Sequence, residues 1–154
     1  MRVSHARADE PVAKVGAAWQ HKRMKSRHIS CVIFASPESV YEFACNPDNL
    51  PRWAAGLAST EVVREGDVLL VDSPMGKVTV RFVPQNEYGV IDHDVTLPSG
   101  TTVRNPVRIL SHPTGSEIVF TIRQIELTDD EFDRDTSLVE QDLERLKHLV
   151  EKRT

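Results

Sequence analysis

Disulfides are the first thing this sequence is short of. Only Cys31 and Cys45 occur among 154 residues, without Cys-x-x-Cys spacing, so the chain carries neither a disulfide framework nor a thiol-redox motif. Reduced, buried thiols in a cytoplasmic protein are the expectation. Long hydrophobic runs are missing too. No apolar stretch approaches the roughly 20 residues that span a bilayer, and residues 15–19 are too short for the core of a signal peptide. There is no Gly-rich phosphate loop and no Gly-x-Ser-x-Gly elbow, which leaves nucleotide binding and serine hydrolysis without a basis. His112, before Pro113, has no second histidine or cysteine at metal-ligand spacing, so neither metal nor cofactor is expected. Charge of one sign is not in excess either. A net charge of −4 gives no whole-protein case for nucleic acid or a membrane surface.

The 40% hydrophobic and 27% charged content fits one globular domain, large enough to bury a core without disulfides or metals. The charge is uneven along it. Residues 1–27 hold seven Lys/Arg against Asp9 and Glu10, a local balance of +5 that leaves −9 on the rest. This stretch shows no sustained periodicity and few large apolar groups, so it reads as a basic, flexible, solvated tail. A nucleic-acid-binding arm is the sharper alternative, and a start at Met24 is compatible with the pattern.

From His28 onward the pattern is regular. HISCVIFA (28–35) is a β-rich run, stopped by SPESVYEFACN, where Ser36 suits a helix cap, Pro37 its first position and Glu38 the positive end of the dipole. Val40, Phe43 and Ala44 give that helix an apolar stripe. Pro47 and Pro51 break residues 46–57 into a short helix or turn. Six strands are predicted near 59–65, 67–73, 76–83, 88–97, 101–111 and 116–126, separated by turn residues. The spacing then predicts a helix over 129–151, roughly 36 Å long. Thr128 and Glu131 form a capping box, and Phe132, Thr136, Val139, Leu143, Leu146 and Val150 recur at helical spacing.

This order of elements, with SPESVYEFACNPDNLPRW early and SEIVFTIRQ…DEFDRDTSLVEQDLERLKHLVE late, resembles the START-like (SRPBCC) superfamily. Within it, the chain looks most like the polyketide cyclase/dehydrase-type proteins. The resemblance covers about residues 28–151. It implies an α+β helix-grip fold, in which a curved antiparallel sheet wraps a long C-terminal helix around an apolar cavity. It also implies that the short helix bearing Trp53 closes one end of the grip, where packing and ligand stacking are both open roles. Members of the superfamily carry lipids, receive hormones, cyclise polyketides or regulate chaperones, so membership does not name an activity.

Residues 90–107, VIDHDVTLPSGTTVRNPV, raise a question of chemistry, because His93 stands between Asp92 and Asp94. Side chains alternate faces along a strand. Ile91, His93, Val95 and Leu97 therefore share one face, while Asp92, Asp94 and Thr96 take the other, and the string is not a triad. Pro98-Ser99-Gly100 reads as a three-residue hairpin loop with Gly100 left-handed. Closing it sets His93 opposite Asn105, Ile91 opposite Val107, and Asp94 opposite Arg104 as an ion pair on the wet face. A four-residue loop at 84–87 would put Val78 opposite His93, and a loop at 112–115 would put Ile122 opposite Asn105.

The inner face is then apolar except for His93, Asn105 and Gln124. Candidate ligand-binding residues are these three, Trp53, and the apolar file of Val78, Val80, Phe82, Ile91, Val107, Phe120 and Ile122, with Val139 and Leu143 from the helix. Two readings of His93 and Asn105 remain open. They orient a ligand, or they satisfy each other inside a filled core.

Three functions follow as expectations. The chain binds a small hydrophobic or aromatic molecule in the cavity, it is a cyclase/dehydrase-type enzyme acting on one, or it is a protein-interaction domain of the chaperone-regulator kind. The sparse inner polar set favours the first, because proton chemistry needs an acid or base at the reacting atom. The acid-rich helix, with Glu140, Asp142, Glu144 and Glu151, is expected to face solvent. No nucleic-acid or membrane partner is expected, and the chain is compatible with a monomer or a homodimer.

Overall fold

A computed structural model describes residues 23–55, 62–73 and 76–153. The expectations for residues 1–22 lie outside them. In chain order the elements are β1 (Ser26–Ile33), α1 (Pro37–Ala44), a 3-10 turn (Pro47–Asn49), α2 (Leu50–Trp53), β2 (Val62–Glu65), β3 (Val68–Ser73), β4 (Gly76–Phe82), β5 (His93–Thr96), β6 (Thr102–Asn105), β7 (Val107–His112), β8 (Gly115–Arg123) and α3 (Asp129–Glu151). All strand pairs are antiparallel. This is the α+β helix-grip architecture. No helix among the described residues is long and apolar enough to cross a membrane.

The helix ends form where the caps predict. The Ser36 hydroxyl accepts the Ser39 N–H at 3.2 Å with Pro37 in the first turn of α1. At α3 the Thr128 hydroxyl accepts the Glu131 N–H at 3.2 Å and the Glu131 carboxylate accepts the Thr128 N–H at 2.7 Å, closing the capping box. The stripe on α3 buries Phe132, Val139, Leu143, Leu146 and Val150. Alternation does the same in the strands: Ile29, Cys31 and Ile33 of β1, Val78 and Val80 of β4, and Ile118 and Ile122 of β8 all point into the core. β1 starts two residues ahead of the expected boundary, because Ser26 and Arg27 still pair with Arg123 and Ile122.

The strands form two ladders, β1-β8-β7 and β2-β3-β4-β5-β6. The single strand expected over 101–111 is broken at Pro106, which has no N–H to give a ladder. β6 therefore stays with β5 while β7 turns to β8. A seam holds the ladders together through the Ile91 N–H on the Val107 carbonyl at 2.9 Å and the Ile109 N–H on the Gly89 carbonyl at 2.8 Å. Gly89 lies at φ 69°, and a Cβ there would strike the Ile109 carbonyl, so the close approach requires glycine.

One register differs from expectation. Phe82, not Val78, lies opposite His93. Asn86 causes the shift. Its side chain accepts the N–H groups of Tyr88 at 3.0 Å and Val90 at 3.2 Å and donates to the carbonyls of Pro84 and Val90. These bonds replace ladder bonds and lengthen the loop. The displacement is an even number of residues, so every side chain keeps its predicted face.

Candidate functional site

α3 presents three stripes to the rest of the chain. Phe132, Leu143, Leu146 and Val150 fill the core. About a right angle to one side, Glu131, Asp135, Leu138 and Asp142 line a cavity of about 540 Å³ under the helix. On the other side, Thr136, Glu140 and Glu144 face β1 across a groove of about 650 Å³ lined by Arg27 to Cys31. The cavity exists because α3 packs chiefly on β1, and no strand of the five-stranded ladder packs against it comparably.

The cavity's floor is the inner face of β5, β6 and the seam. Ile91, His93, Val95 and Leu97 come from one side of the Pro98–Gly100 hairpin, Val103, Asn105 and Val107 from the other. The hairpin closes as predicted, with the Leu97 N–H on the Thr101 carbonyl at 2.9 Å and Gly100 at φ 89°. His93 lies opposite Asn105. On the outer face Arg104 grips Asp94 with two bonds of 2.7 Å, which holds the Asp94 carboxyl below its usual range. Phe82, Phe120 and Ile122 add apolar wall, and Leu50 and Trp53 of α2 complete the lining.

His93 is the buried polar centre, 5% exposed. Its Nδ1 lies 3.1 Å from the Ile91 carbonyl, an atom that only accepts, so Nδ1 carries the proton. Nε2 is then an acceptor, and the Asn105 amide reaches it from 3.4 Å. Phe82 and Phe120 flank the ring at centroid distances of 5.0 and 5.8 Å. Burial pushes its pKa down, against smaller upward pulls from the Ile91 carbonyl and Asp94. The imidazole is accordingly neutral at neutral pH. Trp53 is 5% exposed, and its indole N–H has no acceptor among the described residues.

Of the predicted site residues, His93, Asn105, Trp53, Phe82, Ile91, Val107, Phe120, Ile122 and Val139 come together around this cavity. Four do not. Val78 and Val80 are buried in the core between β3 and β5, away from the opening. Leu143 belongs to the core stripe and the groove side of α3. Gln124 lies past the end of β8, where its amide donates to the Leu127 carbonyl at 3.1 Å and Asp129 at 2.8 Å, tying the strand to the start of α3.

Three carboxylates also stand where the sequence did not put them. Asp92 is not on a wet face but 9% exposed at the seam, where it accepts the Val107 N–H at 2.9 Å and pairs with Arg108. Pro106 explains this: once the strand breaks, the Val107 N–H needs another acceptor. Asp142, expected on the solvent side of α3, is 7% exposed, lines the cavity and pairs with Arg145 at 3.3 Å. Asp135 lines the cavity as well, and burial raises its carboxyl above the usual range. Inner-face carboxylates thus come from the helix, not the strands. Asp135 and Asp142 are one heptad apart, which the spacing alone would have flagged.

No protein-family model and no curated protein match the sequence. Solved structures do resemble the fold. Protein CV1439 from Chromobacterium violaceum superposes with a TM-score of 0.61 at 16% identity, over 82% of this chain and 97% of that one. SA2116 from Staphylococcus aureus gives 0.57 at 17% identity, over 84% and 95%. Ara h 8.0201 gives 0.60 at 11% identity, over 83% and 98%. At such identities the likeness shows the helix-grip fold and nothing narrower.

Proposed function

We propose that this protein binds a small hydrophobic or aromatic molecule in the cavity between α3 and the β5–β6 face. The observation that carries the reading is a largely apolar chamber of about 540 Å³ whose floor carries a neutral, buried imidazole. Its Nε2 is held by a single long bond of 3.4 Å to Asn105, so a ligand hydroxyl or N–H competes for it on good terms. The unmet indole N–H of Trp53 offers a donor to a ligand oxygen in the same chamber.

The enzyme reading of the cyclase/dehydrase type gains one support, since Asp135 and His93 line one cavity as a potential acid and base. Catalysis would require both groups, so Asp135→Asn would abolish turnover while leaving affinity for an apolar product intact. The interaction-domain reading loses ground, because three of the four helix acids expected to face solvent make contacts within the fold. Glu151 accepts the Phe34 N–H at 2.9 Å, Glu144 lies 3.7 Å from the Cys31 thiol, and Asp142 is buried.

His93→Leu tests the binding reading. The variant is expected to fold with equal or greater stability and to lose affinity for an apolar fluorescent probe such as N-phenylnaphthylamine. Unfolding of the variant, with undiminished binding in whatever stays folded, would make His93 a structural residue and remove the centre of the site.

A further inference from the structure

The charges around the cavity do not cancel. At its mouth Arg123 and Arg134 are matched in number by Glu126 and Glu131, and each already has work in the fold. Arg123 donates to the Arg104 carbonyl at 3.2 Å, and Arg134 to the Asp130 carbonyl at 3.4 Å. Glu126 accepts the hydroxyls of Ser99 at 3.2 Å and Thr101 at 2.6 Å, and Glu131 closes the capping box. Deeper in, Asp142 has Arg145. Asp135 remains. Among the described residues it makes no hydrogen bond or ion pair, and burial raises its carboxyl above the usual range.

We infer that the cavity selects apolar ligands carrying a protonated amine, with the ammonium group at Asp135 and the apolar body against the wall that includes Phe82 and Phe120. The inference rests on the binding reading above and names the class of ligand within it. A partly buried carboxylate without a partner is costly, and an ammonium group supplies the missing charge and up to three donors. The alternative ligand charge is disfavoured by the same arrangement. An anion would find both arginines of the rim matched by acids, and would meet Asp135 inside. Trp53 adds an aromatic wall to the chamber, a surface suited to the apolar body of such an amine.

The test uses three probes with one apolar body, naphthylethylamine, naphthylethanol and naphthylacetate, titrated calorimetrically into the full chain at neutral pH. The amine is expected to bind roughly tenfold more tightly than the alcohol, with the acid weakest. Asp135→Asn should bring amine and alcohol to similar affinity. Glu140→Gln, on the groove side of α3, should leave the preference as it was. Equal affinity of amine and alcohol for the unaltered chain would overturn the inference while leaving the binding reading standing. So would a preference that survives Asp135→Asn. If Asp135→Asn does not fold, Asp135→Ser gives the same comparison. If none of the three probes binds, the binding reading fails and the inference with it.

Discussion

The two sides of α3 follow opposite rules. On the β1 side the basic residues of the strand segment find acids on the helix. Arg27 bonds Asp133 at 2.6 Å and the Thr136 hydroxyl at 2.7 Å, and its guanidinium sits 4.5 Å from the centre of the Phe132 ring. Lys25 reaches Asp129 at 2.8 Å. On the cavity side the same helix presents Asp135, without a partner among the described residues, and Leu138 with 41% of its surface exposed. A helix packed for stability alone would not leave a desolvated carboxyl and an exposed leucine beside an apolar chamber. The difference separates the part of the helix that holds the fold from the part that is available to a ligand.

The largest effect should come from the core stripe. Phe132 is fully buried, so Phe132→Ala is expected to cost about 3–5 kcal/mol in urea denaturation. Leu138→Ala, six residues on and on the cavity side, should change stability by no more than about 0.5 kcal/mol. Similar costs for both would erase the distinction between the two sides.

His93 gives an effect of intermediate size, visible in pH. Its folded pKa lies below the ordinary value near 6.5, so the unfolded chain takes up a proton first. Stability is therefore level above about pH 6.5 and falls as the pH drops below it. His93→Leu should flatten the thermal midpoint between about pH 6.5 and 5, a range above that of the depressed carboxyls Asp94 and Glu131. Asp135, raised by burial, acts in both chains and cancels in the comparison, so identical pH profiles for the unaltered chain and His93→Leu would mean that His93 is solvated. The smallest effect belongs to the answered charges on the β1 side. Asp133→Asn should cost about 0.2–1 kcal/mol, less in high salt, because the pair is largely exposed.

Much of this was legible in the chain, and the reasons are local. The capping box at Thr128 and Glu131, the Ser36-Pro37 start of α1 and the Gly100 hairpin each need only neighbouring residues. The Asp94–Arg104 and His93–Asn105 pairs followed from that hairpin, because a two-residue period carries the register outward without loss. The register failed where a side chain replaced backbone partners, at Asn86, and where a missing N–H split a strand, at Pro106. Both depend on what the freed groups find in three dimensions. Asp92 and Asp135 were misjudged or passed over for the same reason. A carboxylate's periodicity says which face it occupies, but not whether that face meets water, an arginine from another strand or an empty chamber. Gln124 shows the converse, since it keeps its place at the end of β8 and spends its amide on the neighbouring turn.

The central claim is that the space beside α3 is a binding site and not a packing defect. Val103, which lines it from β6, offers the most direct measurement: titration of N-phenylnaphthylamine into the unaltered chain and into Val103→Phe, each checked for a cooperative thermal transition. In a filled core the larger ring would cost about 1–3 kcal/mol. Here the chamber should take it with little loss of stability, and saturable one-to-one probe binding should weaken at least roughly tenfold, about 1.4 kcal/mol. A folded Val103→Phe protein that binds the probe as well as the unaltered chain would contradict the account.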